Sequence, residues 1–228
     1  MKPTAQFYYD IISPYAYLFT KMRQPLEDRL NLEPVPIFFP GLLRAQNNVG
    51  PAEVPEKRIH TYTFCVWKAR QLGIPFQFPK RHPFSSVAAM RLLYEQKANW
   101  DMVDRAFEFV WKDGGDPETH WRDFCVALGL PASTDKPQSD EIKQGLTTNT
   151  QQAAKQGVFG VPAVVVNGRP FWGCDSIDWI LEFLDHPGLF DEPAFKNAIA
   201  PSAMLFAMPL IFASPASCLV THDERNAM

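Results

Sequence analysis

Residues 10–18 read DIISPYAYL, in which an apolar strand stops at Ser13 and Pro14 and a helix begins. Serine is a preferred helix N-cap and proline favours the first helical position, so this stretch predicts a helix from Pro14. The first backbone N–H groups of a helix lack partners within it and form the positive end of the helix dipole. They favour an anion beside the Ser13 hydroxyl, although the same pattern also serves as a purely structural cap. The candidate anion is a thiolate.

Strand and helix patterns alternate outward from this junction. Residues 5–12 are rich in Phe, Tyr and Ile, and residues 33–39 look extended, with prolines that favour an edge position. Residues 55–156 show helical spacing. Two apolar faces are predicted there, one of Ile59, Tyr62, Val66 and Ala69 and one of Val103, Ala106, Phe107, Val110 and Trp111. Residues 161–166 and 169–172 flank an Asn-Gly pair that predicts a hairpin. A further helical pattern follows the hairpin. This order predicts an α/β fold in which an inserted all-helical domain splits a sheet domain.

The same order predicts four segments along the chain. They are the first part of the sheet domain, 1–50; the helical insertion, 51–150; the second part of the sheet domain, 151–200; and a C-terminal tail, 201–228. In the tail, Met204–Ala213 is apolar but contains Pro209 and is only about half as long as the roughly twenty residues that span a bilayer. We therefore expect no membrane association, and we expect the polar end of the tail to be disordered.

Composition narrows the class of protein. The 228 residues are 46% apolar, which is enough for a sizeable core. The net charge is -3, from 22 basic and 25 acidic residues, and it does not indicate the excess of basic charge that is typical of nucleic-acid binding. The short basic cluster Lys80–His82 lies between prolines, a pattern typical of a solvated loop, with a substrate-carboxylate contact as the alternative.

The cysteines indicate neither a redox pair nor a metal site. The four of them form no C-x-x-C motif and no metal-ligand spacing, so we expect no metal. Cys65 and Cys125 lie in apolar helical stretches, where buried thiols are common. Buried free thiols favour a reducing compartment, and the N-terminal residues run directly into a strand, so we expect a cytoplasmic protein.

A second segment points to the same site as Ser13. Residues 159–162 read FGVP, with the proline directly before a strand. Thioredoxin-like folds carry a cis X-Pro bond at such a position, facing the first helix; the alternative is an ordinary trans proline. A cis bond would leave the Val161 N–H and C=O free to pair with an extended peptide.

A third segment, FWGCD at residues 171–175, precedes the last helical pattern. Asp175 is either the N-cap of that helix or a counter-ion for an ammonium group. At the same turn, the backbone N–H groups of Cys174 and Asp175 suit a carboxylate. Together these groups would bind an α-amino acid end at both of its charges.

Four segments, in order around the helical stretch, resemble the 2-hydroxychromene-2-carboxylate isomerase family, close kin of the kappa-class glutathione transferases. Both groups belong to the DsbA-like branch of the thioredoxin superfamily, and the similarity covers residues 5–185. The segments are FYYDIISPYAYL, NNVGPAEVPEK, GVFGVPAVVV and FWGCDSIDWILEFL. The resemblance implies a thioredoxin-like sheet domain of the DsbA/kappa type with an inserted all-helical domain, and a homodimer.

The resemblance also implies that glutathione is the cofactor. Ser13 matches the serine that replaces the first redox cysteine of this branch, and it would donate a hydrogen bond to the glutathione sulfur. Serine is itself no anion at pH 7, whereas a free thiol has a pKa of about 8.5, and each unit by which that pKa falls stabilises the thiolate by about 1.4 kcal/mol. The implied nucleophile is therefore the glutathione thiolate, with Ser13 as the catalytic donor.

Further glutathione contacts follow from the resemblance. Asn48 and Lys57 would approach glutathione from the side of the insertion, and Val161, held by the following Pro162, would pair with its cysteinyl backbone. The γ-glutamyl end would lie at Cys174 and Asp175. Cys174 departs from the Ser or Asn of the family, which leaves only the backbone role at that position.

The substrate implied by the resemblance is a small aromatic molecule. In the isomerases the thiolate adds to the conjugated system, allows bond rotation and leaves again, whereas in kappa transferases the sulfur stays on the product. Arg44 lies near the position of a basic residue that contacts the substrate carboxylate, and Tyr15 is a second candidate contact. Glu53 and Val54 replace a polar or basic stretch of the isomerases, which argues against the original chromene substrate.

Two other classes of function are open. A disulfide oxidoreductase needs two cysteines at the start of the first helix; this chain has Ser13 and Ala16 there, so we expect no reduction of insulin disulfides. A non-catalytic glutathione-binding module is the second, since a fold does not by itself fix a function.

Overall fold

The computed structural model describes residues 2–199, and its contacts divide the chain into two units, 1–185 and 186–228. The strands of the first unit are β1 (Thr4–Tyr9), β2 (Asn31–Pro36), β3 (Ala163–Val166) and β4 (Arg169–Trp172). Its α-helices are α1 (Pro14–Met22), α2 (Gln24–Glu27), α3 (Phe39–Ala45), α4 (Pro55–Leu72), α5 (Val87–Glu95), α6 (Trp100–Trp111), α7 (Trp121–Ala127), α8 (Asp140–Lys155) and α9 (Ile177–Asp185), with a 3-10 helix at Pro51–Glu53. The second unit, as far as residue 199, contains a 3-10 helix, Leu189–Asp191, and α10 (Pro193–Ile199).

The helices from α4 to α8 lie in the chain between β2 and β3, so the predicted order of a sheet interrupted by helices is confirmed. The boundaries placed at residues 50 and 150 stay a prediction. The predicted tail, 201–228, and the predictions about its membrane span and its disorder lie outside the described residues.

The strands of the described residues form one sheet in the order β2-β1-β3-β4. β1 is parallel to β2 and antiparallel to β3, and β3 and β4 form a hairpin. The proline-rich β2 lies at the edge, as its prolines predict. Asn167 and Gly168 have φ angles of 50° and 76°, the positive values that a tight two-residue hairpin turn requires.

The first strand is shorter than the sequence predicts. It ends at Tyr9 rather than residue 12, because Asp10 closes a turn: its Oδ1 accepts a hydrogen bond from the Ile12 N–H at 3.1 Å, and its carbonyl oxygen accepts from the Ser13 N–H at 3.0 Å. The Ser13 hydroxyl accepts from the Ala16 N–H at 3.2 Å, which confirms the predicted helix cap. The turn therefore places Ser13 directly at the N-terminus of α1.

The two faces of β1 anchor the site from both sides. On one face, Phe7 stacks on Phe19 of α1 with ring centroids 4.7 Å apart. On the other face, Tyr8 belongs to a buried apolar cluster that includes Val161 and Val165. Since Val161 is part of this core, the start of β3 is fixed relative to the end of β1.

The helical faces match the sequence pattern unevenly. The predicted face of α6 is buried throughout; its residues are Val103, Ala106, Phe107, Val110 and Trp111. On α4, by contrast, the predicted face is wrong in part, because Ile59 is 63% exposed and Val66 is 41% exposed. Cys65 and Ala69 are the buried residues of that helix. Apolar residues at helical spacing indicate a buried face only where another element packs against that face.

Within residues 2–199, neither a membrane-spanning helix nor a metal-binding cluster is present. No helix there is long and apolar enough to cross a membrane. No group of three or more His, Cys, Asp or Glu side chains in that range is arranged to hold a metal ion.

Candidate functional site

Ser13 and Val161 lie in direct contact. The peptide bond between Val161 and Pro162 is cis, and the Ser13 hydroxyl donates a hydrogen bond to the Val161 carbonyl oxygen at 3.1 Å. The Val161 N–H has no hydrogen-bond partner among the residues that the structure describes. Two segments that are 148 residues apart in sequence thus meet at the N-terminus of α1.

The third predicted segment joins the same place through the backbone. The Gly173 N–H donates to the Pro162 carbonyl oxygen at 3.0 Å, which brings Cys174 and Asp175 beside the cis peptide. The N-cap alternative for Asp175 is wrong, because α9 begins at Ile177 and another residue stands between them. Asp175 is exposed, and within the described part of the chain its carboxylate forms no hydrogen bond or ion pair. An exposed, unpaired carboxylate is available to a ligand cation.

Cys174 is suited to a structural role rather than a nucleophilic one. Its side chain is buried, and burial, followed by the nearby charge of Asp175, raises the pKa of the thiol to about 12. The thiolate is the reactive form of cysteine, so this side chain stays inert at neutral pH. Tyr15 lies in the first turn of α1, two residues after Ser13, and burial raises its pKa to about 12, with smaller contributions from Cys65 and Cys174.

Side chains from the helical stretch hold the loop that leads to Ser13. Trp111 of α6 donates from Nε1 to the Ile11 carbonyl oxygen at 2.8 Å, and Ile11 N–H lies 3.5 Å from the sulfur of Met90 in α5. His82, between α4 and α5, places Nε2 2.8 Å from the Ile12 carbonyl oxygen. Because the backbone of this loop is held at several points, Ser13 has a fixed position.

The contact of His82 with the loop before Ser13 was not predicted; the alternative given for its cluster was a substrate-carboxylate contact. A carbonyl oxygen only accepts, so Nε2 carries the proton; Nδ1 then accepts from the Tyr62 hydroxyl, 2.5 Å away. Burial lowers the pKa of His82, which favours this neutral form.

The prediction of a solvated loop for Lys80–His82 is wrong for His82 alone, because Lys80 and Arg81 are exposed and His82 is half-buried. The exposed Arg81 also pairs with the buried carboxylate of Asp116 at 2.9 Å and with Glu118 at 2.5 Å. The opposite charges lie 35 and 37 residues further on, so the local sequence gives no sign of them.

Asp10 is a second residue that the sequence analysis missed. It is fully buried and accepts hydrogen bonds from the Ile12 N–H, the Phe39 N–H at 3.0 Å and the Ser86 hydroxyl at 3.0 Å. Burial raises the pKa of Asp10 to about 6, although these bonds favour the charged form. An aspartate inside an apolar run was the available signal, because buried carboxylates occur almost only with partners.

Arg44, Asn48 and Lys57 lie on an exposed segment. Asn48 Oδ1 accepts from the Val49 N–H at 2.8 Å, and Arg44 and Lys57 form no ion pair with any described residue. Nearby, Gln46 donates to the Val158 carbonyl oxygen at 2.8 Å, which ties this segment to the chain leading to Val161. The structure gives no contact between these three residues and Ser13, so their roles stay predictions.

The chain matches the model of the DSBA-like thioredoxin domain over residues 4–185, and it belongs to that family. A relative named 2-hydroxychromene-2-carboxylate isomerase, from Sphingobium xenophagum, is 29% identical over 199 residues, 81% of this chain and 99% of its own length. Human glutathione S-transferase kappa 1 is 24% identical over 219 residues, 86% of this chain and 96% of its own length.

A solved structure of a 2-hydroxychromene-2-carboxylate isomerase has the same fold. Its TM-score is 0.68 at 23% identity, and the match covers 87% of this chain and all 100% of the other. The thioredoxin-like fold and the family resemblance predicted from the four segments are therefore confirmed.

Proposed function

We propose that the protein is a glutathione-dependent isomerase of the 2-hydroxychromene-2-carboxylate isomerase type. The observation that carries this proposal is the 3.1 Å contact between the Ser13 hydroxyl and Val161 at the N-terminus of α1. This contact places the N-terminus of α1, which favours a thiolate, next to the Val161 backbone, which can pair with an extended peptide. A cytoplasmic homodimer acting on a small aromatic molecule belongs to the same proposal.

Glutathione would bind as an added strand along Val161. The unpartnered Val161 N–H would donate to the cysteinyl carbonyl, and the Val161 carbonyl oxygen would accept the cysteinyl N–H in competition with Ser13. A hydroxyl has a single proton, so release from Val161 turns the Ser13 O–H toward the sulfur. Asp175 would meet the γ-glutamyl ammonium group, the Cys174 N–H its carboxylate, and Lys57 and Asn48 the opposite end of the tripeptide.

The thiolate would then act as a reversible nucleophile. It adds to a carbon of the conjugated substrate and forms a C–S bond, while the displaced π electrons move onto the conjugated acceptor group of the substrate. The former double bond is then a single bond that can rotate. The C–S bond then breaks, the electrons restore the double bond in its new geometry, and the thiolate returns unchanged. Ser13 and the helix dipole stabilise the sulfur charge at the start and the end. Arg44 and Tyr15 are the proposed substrate contacts.

A kappa-like transferase is the second candidate. Kappa-class enzymes are among the relatives, and Glu53 and Val54 stand where the isomerases have a polar or basic stretch. In a transferase the C–S bond would persist in the product, with loss of a leaving group from the acceptor.

Ultraviolet absorbance tests the two activities directly. We expect 2-hydroxychromene-2-carboxylate to isomerise only when glutathione is present, with no glutathione consumed. S-methylglutathione, which has no free thiol, should bind but support no turnover. Turnover with S-methylglutathione would rule out the thiolate mechanism. Conjugation of 1-chloro-2,4-dinitrobenzene without isomerisation would favour the transferase, and calorimetric binding of glutathione without either reaction would favour a non-catalytic module.

A further inference from the structure

A groove lies between α3, α5 and α8, apart from the Ser13 site. Its volume is about 410 Å³, within the range of about 300–1,000 Å³ that is usual for small-molecule pockets. Phe38, Val87 and Leu146 supply apolar lining, whereas Arg91, Lys143 and Lys155 supply positive charge. None of the predicted glutathione or substrate residues lines it.

The positive charge of the groove is largely uncompensated. The lining contains no Asp or Glu. Arg91 forms no ion pair within residues 2–199, and its Nε is buried without a hydrogen-bond partner there. Lys155 also has no ion pair in that range, and Lys143 pairs only with Asp140, whose side chain is 99% exposed. Ion pairs with so exposed a carboxylate are weak, so the groove keeps a net positive charge.

The Arg91 side chain lines the groove and pairs with no carboxylate of residues 2–199, so its charge is available to an anionic ligand. An apolar surface next to it favours a ligand that is itself partly apolar. A planar guanidinium can donate two parallel hydrogen bonds to the two oxygens of a carboxylate. It therefore favours a carboxylate over an anion that presents a single point charge.

We infer that this groove binds a small molecule with an apolar body and one carboxylate group, such as a medium-chain or aryl carboxylic acid. The apolar body lies against Phe38, Val87 and Leu146, and the carboxylate accepts hydrogen bonds from Arg91. Lys155, at the C-terminal end of α8, adds charge at the rim. The site is independent of the proposed glutathione chemistry.

Calorimetric titration of the full chain with octanoate tests this site, with octanamide as the neutral ligand of the same shape. We expect one octanoate per chain and at least about tenfold weaker binding of octanamide. Arg91→Gln should raise the Kd for octanoate about tenfold, and Lys155→Gln, on an exposed residue that the fold does not need, about threefold. Arg122→Gln, which changes an exposed arginine of α7, is the matched control and should leave the Kd unchanged.

The inference fails if octanoate does not bind, if octanamide binds equally well, or if neither groove variant weakens binding. Inorganic sulfate that competes as well as octanoate would show a plain anion site and overturn the apolar part. Competition by glutathione, or loss of octanoate binding in Ser13→Ala, would place the ligand in the other site. An octanoate Kd that rises with protein concentration would show that a second copy of the chain covers the groove.

Discussion

The loop leading to Ser13 and the segment from Arg44 to Lys57 carry candidate residues for the same reaction, yet they are held very differently. Side chains from α5, α6 and the loop between α4 and α5 bind the backbone of Ile11 and Ile12. Arg44 and Lys57 are exposed and have no ion-pair partner among the described residues. In the proposed reaction, the fold would fix the group at the sulfur and leave the exposed groups free to adapt to the rest of the ligand. Substitutions in the loop should therefore change stability and kcat, and substitutions in the segment should change KM.

Asp10→Asn should have the largest effect, on the pH dependence of stability. The folded pKa of Asp10, about 6, lies above its ordinary 3.8, so its contribution is fully present below pH 3.8 and is lost as the pH rises through 6. Because of this shift in the Asp10 pKa, the free energy of unfolding should fall by about 3 kcal/mol between pH 4 and pH 7. Urea unfolding at stepped pH should show that decline in the native protein and not in the variant.

The control for that series is Asp140→Asn, since Asp140 is 99% exposed. It should keep the native pH dependence. If Asp10→Asn keeps it too, Asp10 does not link the loop to pH, and the loop is held less firmly than the comparison requires.

Ser13→Ala should lower kcat/KM for the glutathione-dependent reaction about 100-fold, the usual cost of losing one hydrogen-bond donor to a developing anion. Ser139→Ala is the matched control, because Ser139 caps α8 in the same way, accepting from the Ile142 N–H at 3.3 Å. Both variants lose a helix cap worth about 1 kcal/mol of stability. Equal activity in the two would show that Ser13 is a cap and nothing more.

His82→Ala should lower kcat about tenfold with little change in KM, because it removes the donor that holds the Ile12 carbonyl oxygen at 2.8 Å beside Ser13. His82→Gln keeps an N–H donor and should recover part of kcat. A change in KM alone would instead place His82 in ligand binding.

The same histidine predicts a second pH effect of opposite sign to that of Asp10. Burial lowers its pKa below the ordinary 6.5, so its contribution to stability is present above that pH and lost as the pH falls. In Asp10→Asn, the free energy of unfolding should therefore fall on acidification from pH 7 to pH 5. Adding His82→Gln should flatten that fall; a slope that persists would assign it to other groups.

Local sequence rules predicted much of the fold. Pro14 opens a helix, and Asn167 with Gly168 makes the hairpin turn, because each depends on one or two residues. The end of β1 was misplaced, because the Asp10 side chain replaces ladder bonds that apolar periodicity would continue.

The site was predictable only in its motifs. The order of four segments was enough to bring Ser13 and Val161 to one place, and the structure joins them at 3.1 Å. The same order was not enough to find the role of His82, because a basic run beside prolines predicts solvent exposure. The groups that bind His82, the Tyr62 hydroxyl and the Ile12 carbonyl oxygen, lie 20 and 70 residues away in sequence. Contacts set by tertiary packing leave no local pattern.

Lys57→Ala should have the smallest effect, about a threefold rise in KM for glutathione with kcat unchanged, since an exposed charge contributes at most about 1 kcal/mol. The effect should shrink in 1 M salt, because screening acts on exposed charges. Arg122→Ala, which removes an exposed charge from α7, should leave both constants unchanged. If Lys57→Ala lowers kcat instead, its segment positions the reacting atoms as the Ser13 loop does, and the contrast between a fixed and an adaptable side of the site is lost.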